Sequence, residues 1–214
     1  MKRTNSYLDD LITRYPKLLS CKGEIYKAFE IIANSYENGG KLMVAGNGGS
    51  AADSEHIVGE LMKKFNIPRK VPDDFAQLLK NEDTERGEAL SKKLEPGLPT
   101  IALTTHEGLS TAFLNDVDGQ DIYAQQLYNY GRDGDVFLGI STSGNSNNII
   151  DTIVVAKAKH IKTIGLTGEN GGLLSKYADV TIRVPEKETY KIQELHLPVY
   201  HCWCLMLEDH FFGK

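Results

Sequence analysis

An α/β fold built on a three-layer, doubly wound, five-stranded parallel sheet is the architecture this sequence predicts, and three observations predict it. Five short apolar runs are spaced along the chain with helix-compatible segments between them, the order that gives parallel pairing through right-handed crossovers. Two of those runs empty into loops rich in glycine and hydroxyl side chains, which open in turn into helical patterns. A chain of 214 residues that is 41% hydrophobic buries one full α/β core but is too short for two large domains, so residues 1–214 read as a single domain.

Residues 7–36 carry apolar side chains at roughly helical spacing, interrupted near Pro16, and read as one or two helices ahead of the sheet. Strands are expected over 41–45, 99–104, 135–141, 162–167 and 179–184, each short, apolar and followed by a helical segment. A helix is expected over 147–159, and a long one over 188–212 with Pro198 inside it, where a missing donor can kink the axis. Between residues 66 and 97 the pattern lapses: these 32 residues hold 6 basic and 7 acidic side chains and the prolines Pro68, Pro72 and Pro96. Two short helices fit at 73–80 and 84–94. The segment reads as a charged insertion, a solvated surface elaboration. The rival reading is an active-site cover or oligomer contact.

The net charge is −5 and the basic residues are dispersed, so electrostatics suggest neither nucleic acid nor an anionic membrane as a partner. No apolar run approaches the roughly 18 residues of a membrane span, and the polar start Met1-Lys2-Arg3-Thr4 has no apolar core behind it, so a cytoplasmic location is expected. The three cysteines, Cys21, Cys202 and Cys204, are expected to be reduced and buried.

Chemistry concentrates in three places. The first is Gly46-Asn47-Gly48-Gly49-Ser50-Ala51-Ala52-Asp53, after the apolar Leu42-Met43-Val44-Ala45. Glycines let backbone N–H groups approach an anion, and the helix that follows aims its positive end at the same point, so phosphate is the expected guest of Asn47, Gly48, Gly49 and Ser50. The run lacks the Gly-Lys-Ser/Thr ending of a nucleotide loop and the third spaced glycine of a dinucleotide fingerprint, which favours a phosphorylated metabolite. The second is Ser141-Thr142-Ser143-Gly144-Asn145-Ser146, a dense set of neutral hydroxyl donors at another strand end. In a doubly wound sheet, ligands bind beyond the carboxyl ends of strands, where both loops would lie. The third is His56 and Glu60, whose i, i+4 spacing puts imidazole and carboxylate on one helix face, together with Gln193, Glu194, His196 and His201 on the C-terminal helix. At about 100° per residue Gln193 and His201 lie about 80° apart, and Glu194 and His201 about 20° apart, so the wheel leaves the choice among them open.

These motifs, Gly46 to Asp53, His56-x-x-x-Glu60, Gly139-Ile140 with Ser141 to Ser146, and Gln193-Glu194-x-His196, resemble in order and spacing the sugar isomerase (SIS) family, and within it the bacterial phosphoheptose isomerases. The resemblance spans nearly the whole chain apart from residues 66–97. It implies a flavodoxin-like strand order, extra N- and C-terminal helices, and conversion of sedoheptulose 7-phosphate to D-glycero-D-manno-heptose 7-phosphate, a precursor for lipopolysaccharide or other surface glycans. It carries acid/base roles onto Glu60 and His201 and metal-binding roles onto His56, Glu60, Gln193 and His201, with zinc as the implied ion. Ser50, Ser141, Thr142, Ser143 and Ser146 become phosphate contacts, Asn115 and Asp116 sugar-hydroxyl contacts, and Gln193 is expected near substrate as well. A homotetramer is implied, with the apolar N-terminal region, Tyr7, Leu8, Leu11, Ile12, Leu18 and Leu19, buried against a neighbouring copy. Two departures stand out: Lys63-Lys64 where many members carry Arg, and Thr189-Tyr190-Lys191 before Ile192. The alternatives on this fold are a non-catalytic regulator that binds a replication initiator protein, a branch that tends to lack the Glu and second His kept here, and another sugar-phosphate isomerase or sensor.

Overall fold

The computed structural model describes residues 2–213, with side chains from Asn5 onward. Strands β1 (Leu42–Gly46), β2 (Thr100–Ala102), β3 (Val136–Ile140), β4 (Lys162–Thr167) and β5 (Val180–Arg183) form one sheet in the order β2-β1-β3-β4-β5, parallel throughout. The order reverses between β1 and β3, the point at which doubly wound sheets open a crevice at their carboxyl end. Their register sets Gly46 opposite Ile140, so the loops after these two strands leave side by side.

The strands read as unbroken apolar runs because both faces are covered. Leu42 and Val44 join the core beneath α1 (Lys2–Arg14), α2 (Lys22–Glu37), α3 (Gly49–Leu61) and the long C-terminal helix, while Met43 and Ala45 join the core on the opposite face. That second core packs under α7 (Ile122–Tyr130) and α8 (Asn147–Ala158). Between lie α4 (Asp73–Glu82), α5 (Thr84–Ser91), α6 (Glu107–Asp116) and the short α9 (Leu174–Tyr177), and the chain closes with α10 (Thr189–Phe212).

Three features of the terminal helices have physical causes. The N-terminal region forms α1, a 3₁₀ turn at Pro16–Cys21 and α2, because Pro16 has no N–H to continue the first helix. Leu8, Leu11 and Leu18 are buried in this chain's own core, where α1 packs on α10, and Leu19 is the exposed member of the set assigned to a neighbouring copy. Helix α10 runs through Pro198 without a break, since packing against α1, α2 and α3 outweighs the one lost backbone bond.

The segment at 66–97 is only partly a solvated elaboration. Helices α4 and α5 pack chiefly on each other, and the Asp83 side chain caps α5 by accepting from Arg86 N at 2.8 Å. Its base, however, is anchored. The Glu208 carboxylate on α10 accepts from the backbone N–H groups of Phe65, Asn66 and Ile67 and pairs with Arg69, both partners' side chains being under 10% exposed at 4% and 7%. The Arg69 guanidinium also lies 4.0 Å over the Phe212 ring.

Candidate active site

Two structures meet at the carboxyl edge of β1 and β3. Gly48 adopts φ +56° at the N-cap of α3, a conformation that glycine reaches without strain, and lets the turn deliver Ser50, which is buried, into the first turn of the helix. Across from it, Gly144 turns at φ +68° and brings three hydroxyls together: Ser141 Oγ lies 2.8 Å from Ser146 Oγ and 3.4 Å from Ser143 Oγ. The loops are joined by a pair of amides, Asn47 donating to Asn148 Oδ1 at 3.0 Å and Asn148 donating to Asn47 Oδ1 at 2.8 Å. Beside Thr142 and Ser143 opens a cleft of ≈ 270 Å³ that Asn145 and Lys187 also line. Helix N-termini, neutral hydroxyls and exposed glycine N–H groups are the parts of a phosphate cradle.

The second structure is the contact of α3 with α10. His56 Nε2 lies 3.3 Å from Glu60 Oε1 on its own helix and 3.4 Å from His201 Nε2 across the gap. Glu60 Oε2 takes a 3.1 Å ion pair from Lys63, one of the two lysines that depart from the family pattern; the other, Lys64, pairs with Glu95. The Phe65 ring lies 5.5 Å from that of His201. Burial, with His56 adding to it, lowers the pKa of His201 below the ordinary imidazole value, and Glu60 opposes the shift. His201 is thus neutral at physiological pH.

Other predicted residues sit elsewhere. A methyl group on Gly49 would stand 2.5 Å from Gln193 Nε2, so Gln193 presents its amide to the glycine turn, while His201, about 12 Å further along α10, faces His56. Glu194 is exposed, and His196 is fully buried. Asn115 and Asp116 are exposed at the end of α6, Asn115 donating to Asp116 at 2.8 Å. Asp53, Tyr200 and Asn148 were not singled out by the sequence reading; only Asp53, three residues ahead of His56 on one helix, left a signal there.

Two imidazoles and a carboxylate are donor types that zinc takes, and separations of 3.3 and 3.4 Å match the edge of about 3.3–3.4 Å expected between ligands of a tetrahedral ion with bonds of about 2.0–2.1 Å. Both edges share His56 Nε2. Among the described residues no group of three or more His, Cys, Asp or Glu side chains is disposed to hold a metal ion, so the donor set suits zinc in kind and in two edges without forming a closed cage.

A sequence model of the SIS domain matches residues 6–94 and 84–168. Phosphoheptose isomerase of Aneurinibacillus thermoaerophilus is 40% identical over 186 residues, which cover 87% of this chain and 79% of that protein. This chain belongs to the phosphoheptose isomerase family. Phosphoheptose isomerase 2 of Campylobacter jejuni subsp. jejuni is similar as well, 39% identical over 183 residues, 86% of this chain and 78% of that one. The solved phosphoheptose isomerase of Francisella tularensis superposes with a TM-score of 0.75 at 30% identity, covering 97% of each chain. GmhA of Neisseria gonorrhoeae superposes with a TM-score of 0.71 at 30% identity, covering 96% of this chain and 98% of that one. The superpositions cover nearly the whole chain, so the fold of the sheet and its helices is shared with these isomerases. No helix among the described residues is long and apolar enough to cross a membrane.

Proposed function

We infer that this isomerase interconverts sedoheptulose 7-phosphate and D-glycero-D-manno-heptose 7-phosphate through an enediol. The observation that carries the reading is the meeting of His56, Glu60 and His201 from two helices, beside a phosphate-type cradle, in a chain 40% identical to a phosphoheptose isomerase. Ketose–aldose exchange removes a proton from the carbon beside the carbonyl and returns one to its neighbour, which takes one base and one acid. Glu60 and His201 share those roles. The lowered pKa of His201 favours the neutral ring, whose one lone pair takes either the substrate proton or a metal ion.

Asn47, Gly48, Gly49, Ser50, Ser141, Thr142, Ser143 and Ser146 bind the phosphate, and Asn115 and Asp116 meet sugar hydroxyls. Gln193, whose amide faces Gly49, serves the cradle end of the sugar. His56, Glu60 and His201, with Gln193 the remaining member of the family's set, are the residues that would hold zinc, which would supply Lewis-acid polarisation of the carbonyl and of the enediolate oxygens. A homotetramer, a cytoplasmic location and a product used for lipopolysaccharide or other surface glycans complete the reading.

The test is direct. Purified protein is incubated with sedoheptulose 7-phosphate, with added zinc and with a chelator, and aldose is quantified. Aldose formation, reduced by the chelator, supports the reading. A wild-type protein that turns over no heptose or hexose phosphate with zinc supplied favours a binding regulator instead.

A further inference from the structure

We propose that Tyr200, itself oriented by Asp53, is a positioning residue that holds the proton of His56 on Nδ1 and turns the Nε2 lone pair toward Glu60 and His201. The proposal rests on the isomerase reading for its consequence in catalysis, though not for its geometry. Tyr200 is 1% exposed, and its hydroxyl lies 3.0 Å from His56 Nδ1 and 3.1 Å from Asp53 Oδ1. A tyrosine hydroxyl has one proton to give. An ionised carboxylate only accepts, so that proton goes to Asp53 and the hydroxyl oxygen is left to accept from His56. Nδ1 of His56 must then carry an N–H, which in the neutral ring leaves Nε2 as the lone pair.

That arrangement explains the contacts at Nε2. In the neutral ring with its proton on Nδ1, a lone pair faces the Glu60 carboxylate at 3.3 Å, two acceptors that a cation between them would bridge. The Asp53–Tyr200 pair therefore prepares His56 to ligate a cation and denies it the tautomer that would satisfy Glu60 by a plain hydrogen bond. Outer partners of this sort fix both the tautomer and the ring plane of a ligating histidine. The rings confirm the tight seat: His56 and Tyr200 meet edge to face with centroids 5.5 Å apart.

The experiment compares wild type with Tyr200→Phe, which keeps the ring, and with Asp53→Asn and Asp53→Ala. The tautomer of His56 is read by ¹⁵N NMR on metal-free protein at about pH 8, above the ordinary imidazole range. Zinc affinity, kcat and KM are measured separately. Wild type should show the Nδ1–H form, and Tyr200→Phe a mixture or the Nε2–H form. In Tyr200→Phe zinc affinity and kcat should fall about 10- to 100-fold while KM stays within about twofold. Asp53→Asn keeps an acceptor oxygen and should stay near wild type, whereas Asp53→Ala should move toward Tyr200→Phe. A wild-type Nε2–H tautomer would overturn the proposal, as would Tyr200→Phe with unchanged tautomer and zinc affinity. Should Tyr200→Phe not fold, Asp53→Ala decides by the same readouts. Because the tautomer is read without turnover, a protein that isomerises nothing would sink the functional reading and leave this one to its own result.

Discussion

The amides of Asn47 and Asn148 exchange two hydrogen bonds, at 3.0 and 2.8 Å, across the switch point of the sheet. One residue belongs to the turn after β1 and the other to the first turn of α8, so the pair fixes the distance between the two halves of the cradle. Asn148→Ala removes both bonds and leaves the hydroxyls in place. Two bonds at a net of about 0.5–1.5 kcal/mol each predict a KM for sugar phosphate raised about 5- to 150-fold with kcat nearly unchanged, measured by steady-state kinetics. Ser143→Ala should show the same pattern, because its contact is equally present in ground and transition states.

Glu60→Gln and His201→Gln should do the opposite. An amide cannot take the substrate proton, so each variant is expected to lose roughly 10²-fold or more in kcat while retaining fold and phosphate binding. Near-wild-type turnover in both would show that the acid/base pair lies elsewhere.

His196 supplies a pH dependence of stability. It is 0% exposed, neither ring nitrogen makes a hydrogen bond of ordinary geometry, and burial pushes its pKa down to about 4, opposed by the nearby backbone of Thr167. The unfolded chain returns the ring to about 6.5, so the unfolded state binds the extra proton on acidification. The depressed group's contribution is therefore fully present above about pH 6.5 and is lost as pH falls toward 4. Denaturant titrations should find wild type about 2 kcal/mol weaker at pH 5 than at pH 7 on this account, and His196→Leu should flatten that acid limb.

Arg69 and Glu208 separate the anchored base of the 66–97 segment from its outer hairpin. Arg69→Ala leaves the buried Glu208 charge with its three backbone donors but no countercharge, so it should cost up to about 3–5 kcal/mol in denaturant unfolding. Replacing residues 73–91 with a short Gly/Ser linker should leave the melting profile close to wild type, since α4 and α5 pack mainly on each other. Loss of activity at an unchanged melting temperature would make the hairpin a cover or an interface.

Much of this was legible because buried parallel strands are apolar on both faces and announce themselves as runs, as Leu42 to Ala45 and Val136 to Ile140 do. The two loops were legible by composition. What the helical wheel could not supply was position along the axis: Gln193 and His201 differ by about 80° in angle, yet one meets Gly49 and the other His56, two contacts spaced along α3. Tyr200 with His56, and Arg69 with Glu208, are joined across 144 and 139 residues, and no local pattern carries such pairings. Pro198 was read inside the helix and lies there, because packing around α10 carries the helix through a local breaker.

The central claim is that Glu60 and His201 move a proton between neighbouring carbons, and isomerisation in deuterated water tests it most directly. Wild type is predicted to place solvent deuterium on the carbon beside the new aldehyde, with Glu60→Gln forming almost no labelled product over the same interval. Aldose formed by wild type without deuterium at that carbon, or labelled at the wild-type rate by Glu60→Gln, would contradict the account.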